Sequence, residues 1–177
     1  ATNICASPLS NVVVSAVTNA DCYGASNGFA VITYQNGLPA LSYTLNGGQA
    51  TAIAGYPFTI SGLAAGVYNA TLTDAGGYTA TVNFTITQPA AITASVSAAG
   101  ADAFCNTVTL TAAPAALGDT YSWSLVGGSF TAATKEISLG QTNADGIYQV
   151  SVTTNGCTSQ PGSFVFNKQY LISSYTL

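Results

Sequence analysis

Histidine and methionine are absent from this chain of 177 residues, and charged side chains make up only 5% of it, against roughly a quarter in ordinary globular domains. Two cations, Lys135 and Lys168, stand against six scattered acids for a net charge of −4. Two lysines cannot neutralise a phosphate backbone or hold an anionic bilayer, which argues against nucleic-acid binding and electrostatic membrane attachment. Mean hydropathy is positive, yet no apolar run approaches the ~20 residues of a membrane-spanning helix, so membrane insertion is not expected. Catalysis has few candidate groups. Without histidine there is no imidazole base, and the sequence shows no close carboxylate pair and no phosphate-cradling glycine loop. Nothing basic lies near a cysteine to activate it. No catalytic residue, cofactor or metal is therefore assigned. Asp74 and Asp145 sit in predicted turns, but a calcium site needs several clustered oxygens.

What the chain does have is Ala, Thr, Ser, Gly and Val, the mix of secreted β-proteins and low-charge coats. The four cysteines, Cys5, Cys22, Cys105 and Cys157, form no CxxC pair, and their spacing does not support zinc. An even number in a chain of secreted composition points to disulfides, with three pairings open. No signal peptide is visible; the chain opens on Ala1, consistent with a leader already removed.

The sequence repeats itself. "LSYTLNGG" (41–48) lies 80 residues before "YSWSLVGG" (121–128), and Gly66-Val67-Tyr68 lies 80 before Gly146-Ile147-Tyr148. A period of that size means one domain per repeat. Strands are expected near 11–17, 28–35, 40–45, 57–61, 66–73 and 78–87, and again near 92–98, 106–112, 120–126, 135–139, 146–153 and 162–167. Ala80, Val82, Phe84 and Ile86 alternate with Thr81, Asn83 and Thr85, the period of a half-buried strand. "NGG" (46–48) and "AGG" (75–77) supply tight-turn residues. About seven short strands per copy with frequent turns indicate an all-β chain of two tandem immunoglobulin-like β-sandwich domains. The expected boundaries are an N-terminal extension at 1–10, sandwiches at 11–91 and 92–167 joined near Pro89, and a C-terminal tail at 168–177.

Within that frame Trp123, alternating with Tyr121 and Leu125, reads as a core tryptophan. Tyr68 and Tyr148, each two residues after a glycine at the start of a late strand, read as tyrosine corners whose hydroxyls tie to nearby backbone. The other aromatics fit the core better than a sugar-stacking platform. Two N-x-T sequons, Asn69-Ala-Thr71 and Asn83-Phe-Thr85, place asparagine on the outward face.

The first copy carries "CYGASNGFAVI" (22–32), "GLPALSYTLNGG" (37–48) and "ISGLAAGVYNATLTDAGGYTATVNFTITQP" (60–89). In this order the pieces resemble the SprB-type repeats of gliding and surface adhesins of Bacteroidota, over residues ~11–92. The second copy, with "CNTVTLTA", "TYSWS" and "GIYQVSVTTNGCTS", is similar to the looser immunoglobulin- or PKD-like modules that accompany them. The resemblance implies a disulfide from the early cysteine to the cysteine of the glycine–cysteine turn, hence Cys105 to Cys157. In the first copy Tyr78 occupies the partner slot. The implied mate of Cys22 is then Cys5, within the chain or between neighbouring chains.

The function expected is that of a non-enzymatic extracellular structural protein, secreted to the cell surface. It would be a subunit of a bacterial filament or a section of an adhesin stalk. Sheet edges ordinarily guarded by charge and proline carry few guards here, so copies of the chain itself are the expected partners. The tail "KQYLISSYTL" is apolar and rich in β-formers. Tyr170, Leu171, Ile172, Tyr175 and Leu177 are the assembly candidates, by strand addition to a neighbour; a frayed terminus or the stub of a longer adhesin is the other reading. The alternative function is a binding module that recognises a surface glycan or a protein partner.

Overall fold

The computed structural model describes residues 7–102 and 107–168. The chain divides into two compact units, Ala1–Ala90 and Ala91–Leu177. In the first, β1 (Ser10–Thr18), β2 (Gly28–Gln35) and β5 (Phe58–Leu63) form one antiparallel sheet in the order β1-β2-β5. The second sheet is β4 (Thr51–Ala52), β3 (Ser42–Leu45), β6 (Gly66–Thr73) and β7 (Thr79–Ile86), in that order. The chain changes sheet between β2 and β3 and returns between β4 and β5. That is the Greek-key path of an immunoglobulin-like sandwich.

The second unit repeats the plan. One sheet runs β12 (Glu136–Gly140), β9 (Thr107–Ala113), β8 (Ser95–Asp102). The other holds β11 (Thr131–Ala132), β10 (Thr120–Leu125) and β13 (Gly146–Thr154), the last pairing with both β14 (Cys157–Thr158) and β15 (Gly162–Phe166). The chain is thus all-β, two tandem immunoglobulin-like sandwiches.

Alternation explains both cores. Ala30 and Ile32 of β2, Phe58 and Ile60 of β5, Ala70 and Leu72 of β6, and Phe84 and Ile86 of β7 bury one face. The intervening positions are mostly Thr, Ser and Asn. In the second unit Val108, Leu110 and Ala112 pack with Trp123, Leu139, Tyr148, Val150, Val152 and Phe166.

Residues 7–10, expected in an extension, belong to the first sandwich. Leu9 is buried in its core, Ser10 opens β1, and the Ser7 carbonyl accepts from Gly37 N–H at 3.2 Å. Burying a leucine is worth about 1.5–3 kcal/mol, enough to hold a segment that the loop-like "SPLS" does not advertise. The tail residues 169–177, including all five assembly candidates, lie outside the described residues, as do Cys5 and Cys105.

The two copies are not in one register throughout. Tyr68 and Tyr148 are equivalent, 80 residues apart, but Leu45 pairs with Ala70 whereas Trp123 pairs with Val150. Since 70 + 80 = 150, Trp123 takes the place of Leu45, not of Tyr43. Tyr43, opposite Leu72, corresponds to Tyr121, opposite Val152. The glycine turn after β10 therefore sits two residues further along the sheet than its counterpart after β3.

The last hairpin also differs. In the second unit Thr154 pairs with Cys157 around Asn155-Gly156, whose φ values of 50° and 81° make the two-residue turn that matches strand twist. In the first, five residues separate Thr73 from its partner Thr79. The shorter turn is compensated by one extra residue before β15: Thr153 pairs with Thr158, but Val150 pairs with Gly162. At Gly162 the chain passes so close to β8 that a Cβ would lie 2.7 Å from the Ala94 carbonyl oxygen.

Candidate functional site

The most elaborated surface is the end of the first sandwich where its chain enters. It is built from the segment before β1, the 36–41 loop, the approach to β5 and the 74–78 turn. Asp74 organises it. "DAGG" is an Asx-turn sequence, in which a short carboxylate bonds the backbone ahead of it. Asp74 Oδ1 accepts from Gly76 N–H at 2.9 Å and Tyr78 N–H at 3.0 Å, and Oδ2 accepts from Leu38 N–H at 3.1 Å. Ala75 N–H returns a bond to the Leu38 carbonyl at 3.1 Å. The residue is only 5% exposed. Burial alone would raise its pKa, but the backbone N–H groups of Leu38, Tyr78, Gly76 and Gly77 outweigh it and hold the carboxyl below its usual range. Asp74 is thus a clasp between two loops.

Beside the clasp lies an aromatic cluster. The rings of Tyr34 and Tyr56 meet edge-on at 5.2 Å, and Tyr34 and Tyr43 both pack on Phe58. Tyr56 and Tyr78 are more than half exposed. Alternation in the sequence assigns most of the chain's aromatics to the core. Tyr56 escapes that rule because it precedes β5 rather than lying in it, next to Pro57.

The structural tyrosines are placed as follows. Tyr68 Oη donates to the Ala64 carbonyl at 2.9 Å, and Tyr148 Oη to the Ala144 carbonyl at 3.0 Å. Both bonds run four residues upstream, as a tyrosine corner requires. Burial, with the Asp145 carboxylate adding to it, pushes the Tyr148 phenol above its ordinary range, so the donated proton stays in place. Trp123 is buried in the core and its indole N–H donates to the Thr134 carbonyl at 2.8 Å.

The sequon asparagines face one another across β6 and β7, and Asn69 Nδ2 donates to Asn83 Oδ1 at 2.8 Å. Asn69 also accepts from Thr71. In the second unit a concavity of about 350 Å³ is lined by Leu125, Phe130, Thr142, Asn143 and Tyr148 among others. Its lining offers hydroxyl, amide and aromatic groups and no carboxylate, amine or thiol. Among the described residues no cluster of three potential metal ligands occurs, and no helix is long and apolar enough to cross a membrane.

Cys22 and Cys157 are disulfide-bonded. The pairings implied by the family resemblance, Cys105 to Cys157 and Cys5 to Cys22, each involve a residue outside the described set. Cys22 lies in the loop after β1, where Gly24 N–H donates to Gln88 Oε1 at 2.8 Å and Ala20 N–H to the Thr87 carbonyl. Cys157 pairs with Thr154 at the end of β13, and nearby Gln160 bridges to Thr93 just ahead of β8.

No family model matches the chain, and no curated protein matches it. Among solved structures it is similar to murine CEACAM1b, at 15% identity over 89% of this chain and 99% of that one, with a TM-score of 0.36. It is similar to a two fibronectin type-III domain segment from chicken tenascin at 14% identity over 91% and 99%, with a TM-score of 0.36. A third match is the three N-terminal domains of the bacteriophage RB49 highly immunogenic outer capsid protein, at 18% identity over 88% of this chain and 59% of that one, with a TM-score of 0.38.

Proposed function

We propose that this chain is a non-enzymatic, extracellular structural protein, the subunit of a bacterial surface filament or a section of an adhesin stalk, that joins copies of itself head to tail through strand and terminal contacts. The observation that carries this reading is the edge of β5. Among the described residues Phe58–Leu63 pairs with β2 alone, and it contains no charge and no proline. An edge of that length and composition is a template for another strand. Among the other edges β1 is interrupted by two register shifts, β4 and β11 have two residues each, and β12 opens on Glu136, while β7 (Thr79–Ile86) is a second edge without charge or proline. The resemblance to SprB-type repeats fits the same role.

A head-to-tail contact is heterologous and propagates into a fibre unless it closes a ring. Electron microscopy and sedimentation of the full chain test the reading. Fibres or end-to-end oligomers are expected; a monodisperse monomer at high concentration would overturn it. The exposed Tyr56, backed by Tyr34 beside the Asp74 clasp, favours the second reading, a binding module for a surface glycan or a protein partner. That module would be monomeric and would lose its ligand on Tyr56→Ala.

A further inference from the structure

We propose that the entry end of the first sandwich binds an uncharged polysaccharide, with the Tyr56 ring stacked on a pyranose and neighbouring phenols bonding its hydroxyls. The inference rests on the second reading above, that this end is a binding surface, and names the class of its ligand.

The tyrosines divide by what their hydroxyls do. Tyr68, Tyr121 and Tyr148 donate to main-chain carbonyls. The four at the entry end of the first sandwich, Tyr34, Tyr43, Tyr56 and Tyr78, have no hydrogen-bond partner among the described residues. Tyr34 and Tyr43 are only partly exposed. Yet the buried polar side-chain atom without a partner among the described residues is Thr154 Oγ1, so the Tyr34 and Tyr43 oxygens reach solvent. Tyr56 is 62% exposed and Tyr78 53%. The surface is thus apolar in its rings and polar at their tips. A pyranose is its complement, with C–H groups on its faces and hydroxyls around its rim.

The site is also neutral. Asp21 and Asp74 are the charged residues of the first 90. Asp21 lies in the loop after β1, at the other end, and the Asp74 carboxylate is buried and filled by the N–H groups of Leu38, Gly76 and Tyr78. A charged polymer finds no counter-charge here. Nor is there the apolar core of a protein interface, which takes about 800 Å² from each partner. Between the rings the exposed residues include Ala40, Gly55, Ala75 and Gly76, whose small side chains leave room for a sugar chain.

The loops are fixed in advance. Asp74 joins the 74–78 turn to the 36–41 loop, and Ile53 N–H donates to the Leu41 carbonyl at 2.9 Å, tying the approach to β5 to the same loop. Leu38 and Tyr78 close on Gly76, where a Cβ would meet their Cδ atoms at 3.0 and 3.3 Å. A site held in shape loses little freedom when its ligand arrives.

The test is native affinity electrophoresis of the full chain in gels containing dextran, laminarin, xylan or mannan, with polygalacturonate as the anionic control. Retardation by at least one neutral polymer and none by polygalacturonate is expected, unchanged between about 0.05 and 0.5 M salt. Tyr56→Ala should raise the apparent Kd about tenfold or more, and Tyr56→Trp should restore it. Tyr34→Phe or Tyr78→Phe should raise it about two- to tenfold, the worth of one hydrogen bond. Retardation that Tyr56→Ala leaves unchanged, or that only polygalacturonate produces, would overturn the proposal. With no retardation at all, extracellular protein captured by the full chain and lost on Tyr56→Ala would overturn the glycan and leave the binding surface standing. With neither, the binding reading of this end fails as well.

Discussion

Asp74 and Leu38 hold each other twice, carboxylate to N–H at 3.1 Å and N–H of the next residue to carbonyl at 3.1 Å. The pair joins the last hairpin of the first sandwich to the loop between its sheets. In the second sandwich the residue 80 positions on is Thr154, and the turn beside it carries a disulfide-bonded cysteine instead.

The clasp should make the first sandwich acid-sensitive. Its folded pKa lies below the ordinary 3.8, so its stabilisation is complete above the unfolded value and is lost as pH falls through the folded one. Asp74→Asn keeps one carbonyl acceptor and turns an amide toward N–H donors. The variant should lower the unfolding temperature of the first unit at neutral pH and flatten its dependence below pH 5, leaving the second unit unchanged. Calorimetry across that pH range checks it; an unaltered acid profile would refute the clasp.

The two tyrosine corners should differ in weight. Tyr148 is fully buried and Tyr68 only partly. Tyr148→Phe removes a part-buried hydrogen bond to Ala144 and should cost about 1–1.5 kcal/mol, the upper part of the range for a net hydrogen bond. Tyr68→Phe leaves Ala64 open to water and should cost less than about 1 kcal/mol. Denaturant titration of the two variants gives the ranking, and a reversed order would contradict it.

Gly162 is a packing requirement rather than a turn residue. A methyl there would meet the Ala94 backbone at 2.7 Å, which moves only if β8 and β15 separate. Gly162→Ala should destabilise the second unit by about 1–3 kcal/mol, as overpacking does. Gly55→Ala meets nothing within 4 Å and serves as the matched control. Equal stabilities of the two variants would show that the strands can part freely.

What the sequence made legible was local. Alternation placed β7 and its buried Phe84 and Ile86, and a glycine two residues ahead marked Tyr68 and Tyr148. What it hid was longitudinal. Leu9 joins the core because the chain ahead of β1 doubles as packing for the 36–41 loop, a tertiary effect with no period to detect. Trp123 and Tyr43 align in sequence, yet the ladder puts Leu45 in the tryptophan's place. Asp74 was visible as a turn acid; its bond to Leu38, 36 residues away, was not.

The tail is the remaining element of the assembly reading. At the exit end of the second sandwich Lys168 N–H donates to Asp145, so a truncation that begins at Gln169 keeps that bond and every described core residue. Tyr170, Leu171, Ile172, Tyr175 and Leu177 lie beyond it, in a run of nine residues without glycine, proline or charge. Such a run, added to the uncharged edge of β5 in the next copy, gains main-chain hydrogen bonds and seats alternate side chains against its sheet. Deleting 169–177 should leave both units folded, with an unchanged unfolding curve, and abolish fibres. Replacing Thr59 and Ser61 of β5 with lysine should do the same from the acceptor side, since charge on an edge blocks pairing. Loss of fibres in the deletion alone assigns the tail to another acceptor. Fibres as abundant as those of the full chain in both variants would end the strand-addition account and leave the joint to the sandwich ends themselves.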